Sequence, residues 1–241
     1  GASVGIGRAL AVECAHRGMN LALIDLPDSR LKETINYLKQ NYTVDIQSME
    51  VDLTSPNSAQ KIFEWSQQNG ISVGMLINNA GKGHLGAFTD YDHAFYEKMV
   101  RLNIESVVLL TRLFLPGMKE LDQAYIMNLG SVASFYPIPY KIVYSGSKSF
   151  IYSFTRALKE ELKDTGVRVS VLCPGPILTS QEVIERIRLG GFWARLSAMR
   201  PSQMASIAIS NLVRGKAVII PGLVNQFFKL ASMLVPTPVK M

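Results

Sequence analysis

Gly1-Ala2-Ser3-Val4-Gly5-Ile6-Gly7-Arg8-Ala9-Leu10 and, a little further on, Leu21-Ala22-Leu23-Ile24-Asp25 decide how this chain is read. Ile6, Leu10, Ala11, Cys14 and Ala15 recur at helical spacing as far as Gly18, so a helix begins inside the glycine cluster. Leu21 to Ile24 is a short unbroken apolar run closed by a carboxylate, the pattern of a strand buried on both faces. Bare backbone at a helix N-terminus favours anions, because the first N–H groups lack partners within the helix and the helix dipole reinforces them.

The alternation continues along the chain. Helices are expected near 29–41, 57–69, 92–120 and 142–164, and strands near 44–51, 73–77, 124–129 and 167–172, with a last strand at 216–220 and an apolar terminal helix at 223–235. Strands alternating with helices imply right-handed βαβ units. The expected fold is therefore α/β, a Rossmann-type doubly wound parallel sheet forming one domain over residues 1–241, with no linker or repeat to divide it.

Composition narrows the class. The 241 residues are 48% hydrophobic and 18% charged, enough to build a sizeable core. The net charge of +6 is modest, with Lys and Arg read as scattered and no aromatic-interleaved basic stripe, so nucleic acid is not an expected partner. Cys14 and Cys173 form neither a disulfide framework nor a metal-ligand spacing, which suits a reducing, cytoplasmic compartment and no metal. Cys173 reads as a small buried residue, and the apolar run Phe227 to Val235 falls far short of the ~20 residues a membrane helix needs.

Two regions carry chemistry. Asp25 ends the strand after the glycine cluster, about twenty residues on, where the ribose hydroxyls of an adenine dinucleotide are held. A carboxylate there opposes a 2′-phosphate and favours NAD over NADP, although Arg8 and Arg30 lie close in sequence. Further on, Tyr144 and Lys148 are four residues apart in Tyr144-Ser145-Gly146-Ser147-Lys148, one turn apart on a helix face. A cation about 4 Å away at an effective dielectric of roughly 20 would stabilise a phenolate by on the order of 4 kcal/mol, bringing a phenol of pKa ~10 toward the useful range.

With Ser131 thirteen residues before Tyr144, Asn78-Asn79-Ala80-Gly81 after one apolar run and Cys173-Pro174-Gly175 after another, the chain resembles the short-chain dehydrogenase/reductase family from Gly1 to about Gly222. The resemblance implies an oxidoreductase that moves hydride between nicotinamide and a secondary alcohol or ketone. Tyr144 would be its acid/base, Lys148 the group that lowers the phenol's pKa and bonds the nicotinamide ribose, so that Tyr144 and Lys148 also face the cofactor, Ser131 the group that orients the carbonyl oxygen, and Asn103 a support whose main-chain carbonyl holds a relay water. It places the cofactor against Gly1, Ser3, Gly5, Ile6 and Gly7, with Asp25, Asp52 and Leu53 toward the adenosine. Asn79, Ala80 and Gly81 would face the ribose, and Pro174, Gly175, Ile177 and Thr179 the nicotinamide. Taken alone, Asp52 serves equally well as a turn cap near Thr54.

For substrate, Phe135, Tyr136 and Ile138 would wall an apolar pocket, with core packing as the equal alternative. Residues 181–200 look like a lid hinged at Gly190-Gly191 and contributing Phe192 and Trp193. His84 reads as a solvated loop histidine. The segment 216–241 is expected to bury its apolar helix in a homodimer or homotetramer, with peripheral membrane contact the minor reading. A β-ketoacyl substrate is less favoured, because Ser149-Phe150 follow Lys148 where that group commonly has two small residues. The alternative from another class is a non-catalytic dinucleotide-binding sensor or scaffold, against which stands the retention of all four site positions.

The family's glycine motif normally follows an apolar central strand, and here the first glycine is residue 1. Leaving buried N–H and C=O groups unpaired costs about 1 to 3 kcal/mol each. The first central strand is therefore apparently absent from the given chain, and about six to ten further residues are expected ahead of Gly1, a length set by a typical strand.

Overall fold

The computed structural model describes residues 1–27, 29–179, 181–189 and 191–234, apart from the side chains of Glu182, Arg186, Trp193, Ala194, Phe228 and residues 231–234. The elements follow in the order α1 (Gly5–His16), β1 (Leu21–Asp25), α2 (Leu31–Asn41), β2 (Ile46–Glu50), α3 (Ser58–Gln68) and β3 (Met75–Asn78). Then come α4 (His93–Val100), α5 (Ser106–Lys119), β4 (Ala124–Leu129), α6 (Ile142–Glu161), β5 (Val167–Leu172), α7 (Gln181–Leu189) and α8 (Gly191–Ser197). The chain closes with α9 (Pro201–Val213), β6 (Val218–Ile219) and α10 (Leu223–Leu234).

All strand pairs are parallel, as the run of βαβ units requires. Helices cover both faces. On one side α1 and α9 pack Leu10, Cys14, Met204, Ile209 and Leu212 against Met127, Leu172 and Ile219. On the other, α3 and α5 pack Ile62, Leu110, Phe114 and Met118 against Ile126 and Val169. Their apolar positions fall on one stripe of each helix, which is why these segments are helical and why they sit where they do.

The described strands form two separate ladders. β1 pairs with β2, while β3, β4, β5 and β6 form a second ladder in that order. Between β1 and β3 lies a cavity of about 550 Å³, lined by Leu21, Leu23, Met75 and Ile77 and roofed by Leu10 and Phe114. Among the described residues, β1 and β3 each have a strand partner on one side only.

The helix expected over 92–120 is three pieces. Residues Arg101–Glu105 form a π-helical turn between α4 and α5, a local widening that recurs at functional positions. Pro116 is carried inside α5 near its end. The last strand is shorter than expected, and Gly190 and Val235, the ends of the expected lid hinge and terminal helix, lie outside the described residues.

A buried polar chain fixes the carboxyl edge of the sheet. Asn78 Nδ2 donates to Asn128 Oδ1 at 2.8 Å and to Thr111 Oγ1 at 3.2 Å, and Asn128 Nδ2 donates to Thr155 Oγ1 at 3.0 Å. These bonds tie β3 and β4 to α5 and α6 at the edge where ligands of open α/β sheets bind.

Candidate active site

At that edge a cleft of about 270 Å³ brings together Ser131, Tyr144 and Lys148 with Ile6, Asn79 and Gly81 on one side and Pro174, Gly175, Ile177 and Thr179 on the other. Ten expected site residues from five separate stretches thus meet in one place. Gly83, Leu129 and Gly130 also line the cleft and carry no signal in the sequence beyond their neighbours.

Ser131 leaves β4 in extended conformation and caps the turn Val132–Phe135, its Oγ accepting from Ala133 N at 3.1 Å. Ser134 Oγ donates to the Lys148 carbonyl at 2.8 Å and Ser149 Oγ to the Ser134 carbonyl at 3.0 Å. Small hydroxyl residues therefore lock the serine turn onto α6. The Ser131 side chain lies near enough to the Tyr144 phenol to favour its ionised form. Gly83 passes over the tyrosine ring, and a Cβ there would lie 3.4 Å from its Cδ2.

Lys148 is buried, its Nζ donating to the Leu129 carbonyl at 2.7 Å and lying 5.9 Å from the centre of the Tyr144 ring. Burial lowers its pKa to about 8. Burial also pushes the Tyr144 phenol up, and the neighbouring Ser131 side chain offsets this only in part. The pairing on one helix face is as expected; the depressed phenol pKa is not found. The ammonium is held on a carbonyl and not on the phenol oxygen, so desolvation wins.

Asn103 sits in the π-helical turn, almost wholly buried. Its Oδ1 accepts from Lys82 N at 2.9 Å, and its Nδ2 donates to the Lys82 carbonyl at 2.9 Å and to Ser147 Oγ at 3.1 Å. The side chain thus pins the loop after Gly81 to α6. Cys173 is fully buried and its thiol is pushed up to about 12 by burial, an inert packing residue as expected.

The glycine cluster has the shape a pyrophosphate requires. Gly5 has φ +57°, and a Cβ on it would press on Thr179 Cγ2 at 3.2 Å. At Gly7 a Cβ would collide with the Gly1 carbonyl oxygen. Val4 gives α1 no side-chain cap, leaving first-turn N–H groups for an anion. Asn79 Nδ2 donates to the Gly1 carbonyl at 2.7 Å, whereas its Oδ1 is buried with no partner among the described residues, an acceptor suited to a hydroxyl. These features fit a dinucleotide.

Asp25 has a second task that the sequence does not announce. Oδ2 accepts from Ser3 N at 2.6 Å and Oδ1 from Leu26 N at 2.8 Å, so the carboxylate braces the glycine turn. Burial raises its pKa, but hydrogen bonds from Ser3 and Leu26 oppose this, and the carboxyl is held below its ordinary range. Arg30 pairs with Glu33 at 2.8 Å, and Arg8 lies 5.0 Å over the Tyr37 ring, so both guanidiniums are already engaged.

Several expected residues lie elsewhere. Asp52 accepts from Thr54 N and Oγ1, both at 2.8 Å, which is the turn-cap reading, and Leu53 lines the cavity in the sheet. Ala80 is also at that cavity, and Ser3 lies beneath the glycine turn on Asp25. Phe135 packs edge-on to Tyr152 at 5.2 Å against the Ile151 core, so packing, not pocket wall, is its role. Tyr136 and Ile138 are half-buried in the same loop and do not line the cleft. Phe192 is exposed on α8, and the Trp193 side chain lies outside the described residues. His84 is half-buried and not fully solvated: Tyr91, Phe95 and Tyr96 pack around it with ring centres within 5.8 Å, and its Nδ1 has no partner among the described residues.

The carboxyl edge of this doubly wound parallel sheet thus joins a glycine cradle to a Ser/Tyr/Lys cleft. The family model for short chain dehydrogenases matches residues 1–186, and the chain belongs to that family. Very-long-chain 3-oxoacyl-CoA reductase of Rattus norvegicus is 32% identical over 195 residues, 77% of this chain and 60% of the relative. The bovine protein of the same name is also 32% identical with the same coverage. This chain thus spans about three fifths of the length of these relatives. Among solved structures, a short-chain dehydrogenase from Sphingobium yanoikuyae in complex with NADPH superposes with a TM-score of 0.82 at 26% identity, covering 97% of this chain and 91% of that one. A 7β-hydroxysteroid dehydrogenase shares the fold, with a TM-score of 0.85 at 23% identity over 95% of this chain and 88% of the other.

Proposed function

We propose that this protein interconverts an apolar ketone and its secondary alcohol, with Tyr144, Lys148, Ser131 and Asn103 as the working set and NAD as the preferred dinucleotide. The observation that carries this reading is that Ser131, Tyr144 and Lys148 line the same cleft as Asn79, Gly175 and Thr179. When bound, the nicotinamide supplies the hydride chemistry. The chain's own residues manage the oxygen and its proton.

In the reduction direction, Ser131 donates to the carbonyl oxygen and holds it toward Tyr144. Tyr144 gives that oxygen its proton; the raised pKa of the phenol keeps the proton in place until charge develops on the substrate. Lys148, with its pKa near 8, lies beside the ring and returns a proton to the phenolate. Asn103 holds the loop over Tyr144 in register with α6, and its main-chain carbonyl is the proposed anchor of the relay water.

Asp25 supports NAD because an ionised carboxylate at the glycine turn opposes a 2′-phosphate, and Arg8 and Arg30 are committed to Tyr37 and Glu33. The similarity to very-long-chain 3-oxoacyl-CoA reductases makes long-chain 3-oxoacyl thioesters the first substrates to test, ahead of the rank that Ser149-Phe150 alone would give them. The test is Tyr144→Phe assayed on 3-oxoacyl thioesters and ketones of graded chain length with both dinucleotides. Turnover should fall by on the order of 10² to 10⁴ while dinucleotide affinity stays within about twofold. Full activity in the variant would sink the assignment.

A further inference from the structure

The helix α10 is built inside out. Leu223, Phe227 and Leu230, spaced for one helix face, are exposed, whereas the polar Asn225 is buried, its Nδ2 donating to the Ser197 carbonyl at 3.2 Å and the Pro221 carbonyl at 2.9 Å. On α7 and α8, which pack on each other, with α10 against α8, Leu189, Phe192 and Leu196 are exposed as well. The six side chains are between 51% and 88% exposed on three helices that touch in turn, an unusual concentration of exposed large apolar groups.

The charge follows the same segment. Residues 181–241 hold eight Lys/Arg against two Asp/Glu, leaving 17 against 17 in residues 1–180, so the whole net charge of +6 belongs to this part of the chain. The basic residues are not scattered after all. Arg188 and Arg195 lie exposed on the same two helices as the apolar side chains, Arg200 follows them, and Glu185 is an exposed acid among the described side chains of α7.

We propose that the α7–α8–α10 face docks on an anionic lipid surface, the apolar side chains entering the headgroup boundary and the arginines meeting acidic headgroups. A second copy of the chain suits this face less well. A two-fold contact would set the same cluster of arginines against itself. No helix among the described residues is long and apolar enough to cross a membrane. α10 also packs on the Val132–Phe135 turn that Ser131 caps, so docking would hold the mouth of the cleft at the lipid. The proposal does not depend on which ketone is reduced.

The full chain is sedimented with vesicles of phosphatidylcholine alone and of phosphatidylcholine mixed with phosphatidylserine, at low and high salt. Binding to the mixed vesicles should exceed binding to the neutral ones by about tenfold or more and weaken with salt. Arg188→Gln with Arg195→Gln should remove that preference, and Leu223→Ser with Leu230→Ser should lower binding to both, with dinucleotide affinity unchanged as proof of folding. Failure to bind either vesicle overturns the proposal. So does equal binding to both, or a dimer in sedimentation velocity that the Leu→Ser variant dissociates while vesicle binding is unaltered. Because the arginine variant leaves the apolar packing intact, the test stands even if the serine variant fails to fold.

Discussion

Lys148→Met should cost the protein its activity and yet relieve it of a burden. A lysine that loses its proton near pH 8 when folded and near 10.4 when unfolded costs roughly 3 kcal/mol of stability at neutral pH. The folded value is the lower one, so below pH 8 both states carry the proton and the full cost is present. Between those values the unfolded state holds more protons and stability rises with pH; above about 10.4 the cost is gone. Methionine fills the site without a charge but leaves the Leu129 carbonyl without its 2.7 Å donor, a loss of about 1 to 3 kcal/mol that does not vary with pH. The variant should therefore equal or exceed the wild type at pH 6.5 and fall below it at pH 10.5. The relative change is about 3 kcal/mol, or roughly 6 to 12 °C in Tm for a chain of this length. Tyr144 and Cys173, both raised by burial, are common to the two proteins and largely cancel in the difference. Urea midpoints and thermal scans of both proteins at the two pH values measure it. An offset that does not change with pH, or one that moves in the variant's favour as pH rises, would refute the view of Lys148 as a desolvated cation.

Three other changes probe the site. Asp25→Asn removes the charge that opposes a 2′-phosphate and should lower the NADP-to-NAD ratio of Kd by about tenfold or more, and a wild type that prefers NADP would contradict it. Because the Asp25 carboxyl titrates lower folded than unfolded, its stabilisation is present above about pH 4 and is lost as pH falls through the folded value, so the two proteins should converge on acidification. Asn103→Ala strips the bonds to Lys82 and Ser147 and should destabilise by about 1 to 3 kcal/mol and lower kcat; unchanged urea midpoints would show the loop is held otherwise. Gly175→Ala would drive a Cβ into the Asn225 side chain, costing about 1 to 3 kcal/mol and dinucleotide affinity, with urea midpoints and dinucleotide titration as the measurements.

The sequence by itself determined the alternation of elements and most of the cleft. Apolar runs of strand length and stripes of helical period are local properties, so β4 and β5 fall on the residues expected. Tyr144 and Lys148 meet because four residues on a helix always do, and the glycines at 5 and 7 are demanded by the space around them. What the chain order could not reveal is which partner each polar group would find. Lys148 takes a main-chain carbonyl from β4, Asp25 takes main-chain N–H groups from the glycine turn, and Asp52 spends its carboxylate on Thr54. Backbone groups have no letter in a sequence, and their availability depends on register. His84 was misplaced for a related reason: Tyr91, Phe95 and Tyr96 enclose it only once the loop folds back on α4. The sign of the Tyr144 shift likewise belongs to the tertiary structure, because spacing sets how near a cation comes, while burial, which only packing decides, sets what an ionised phenol would cost there.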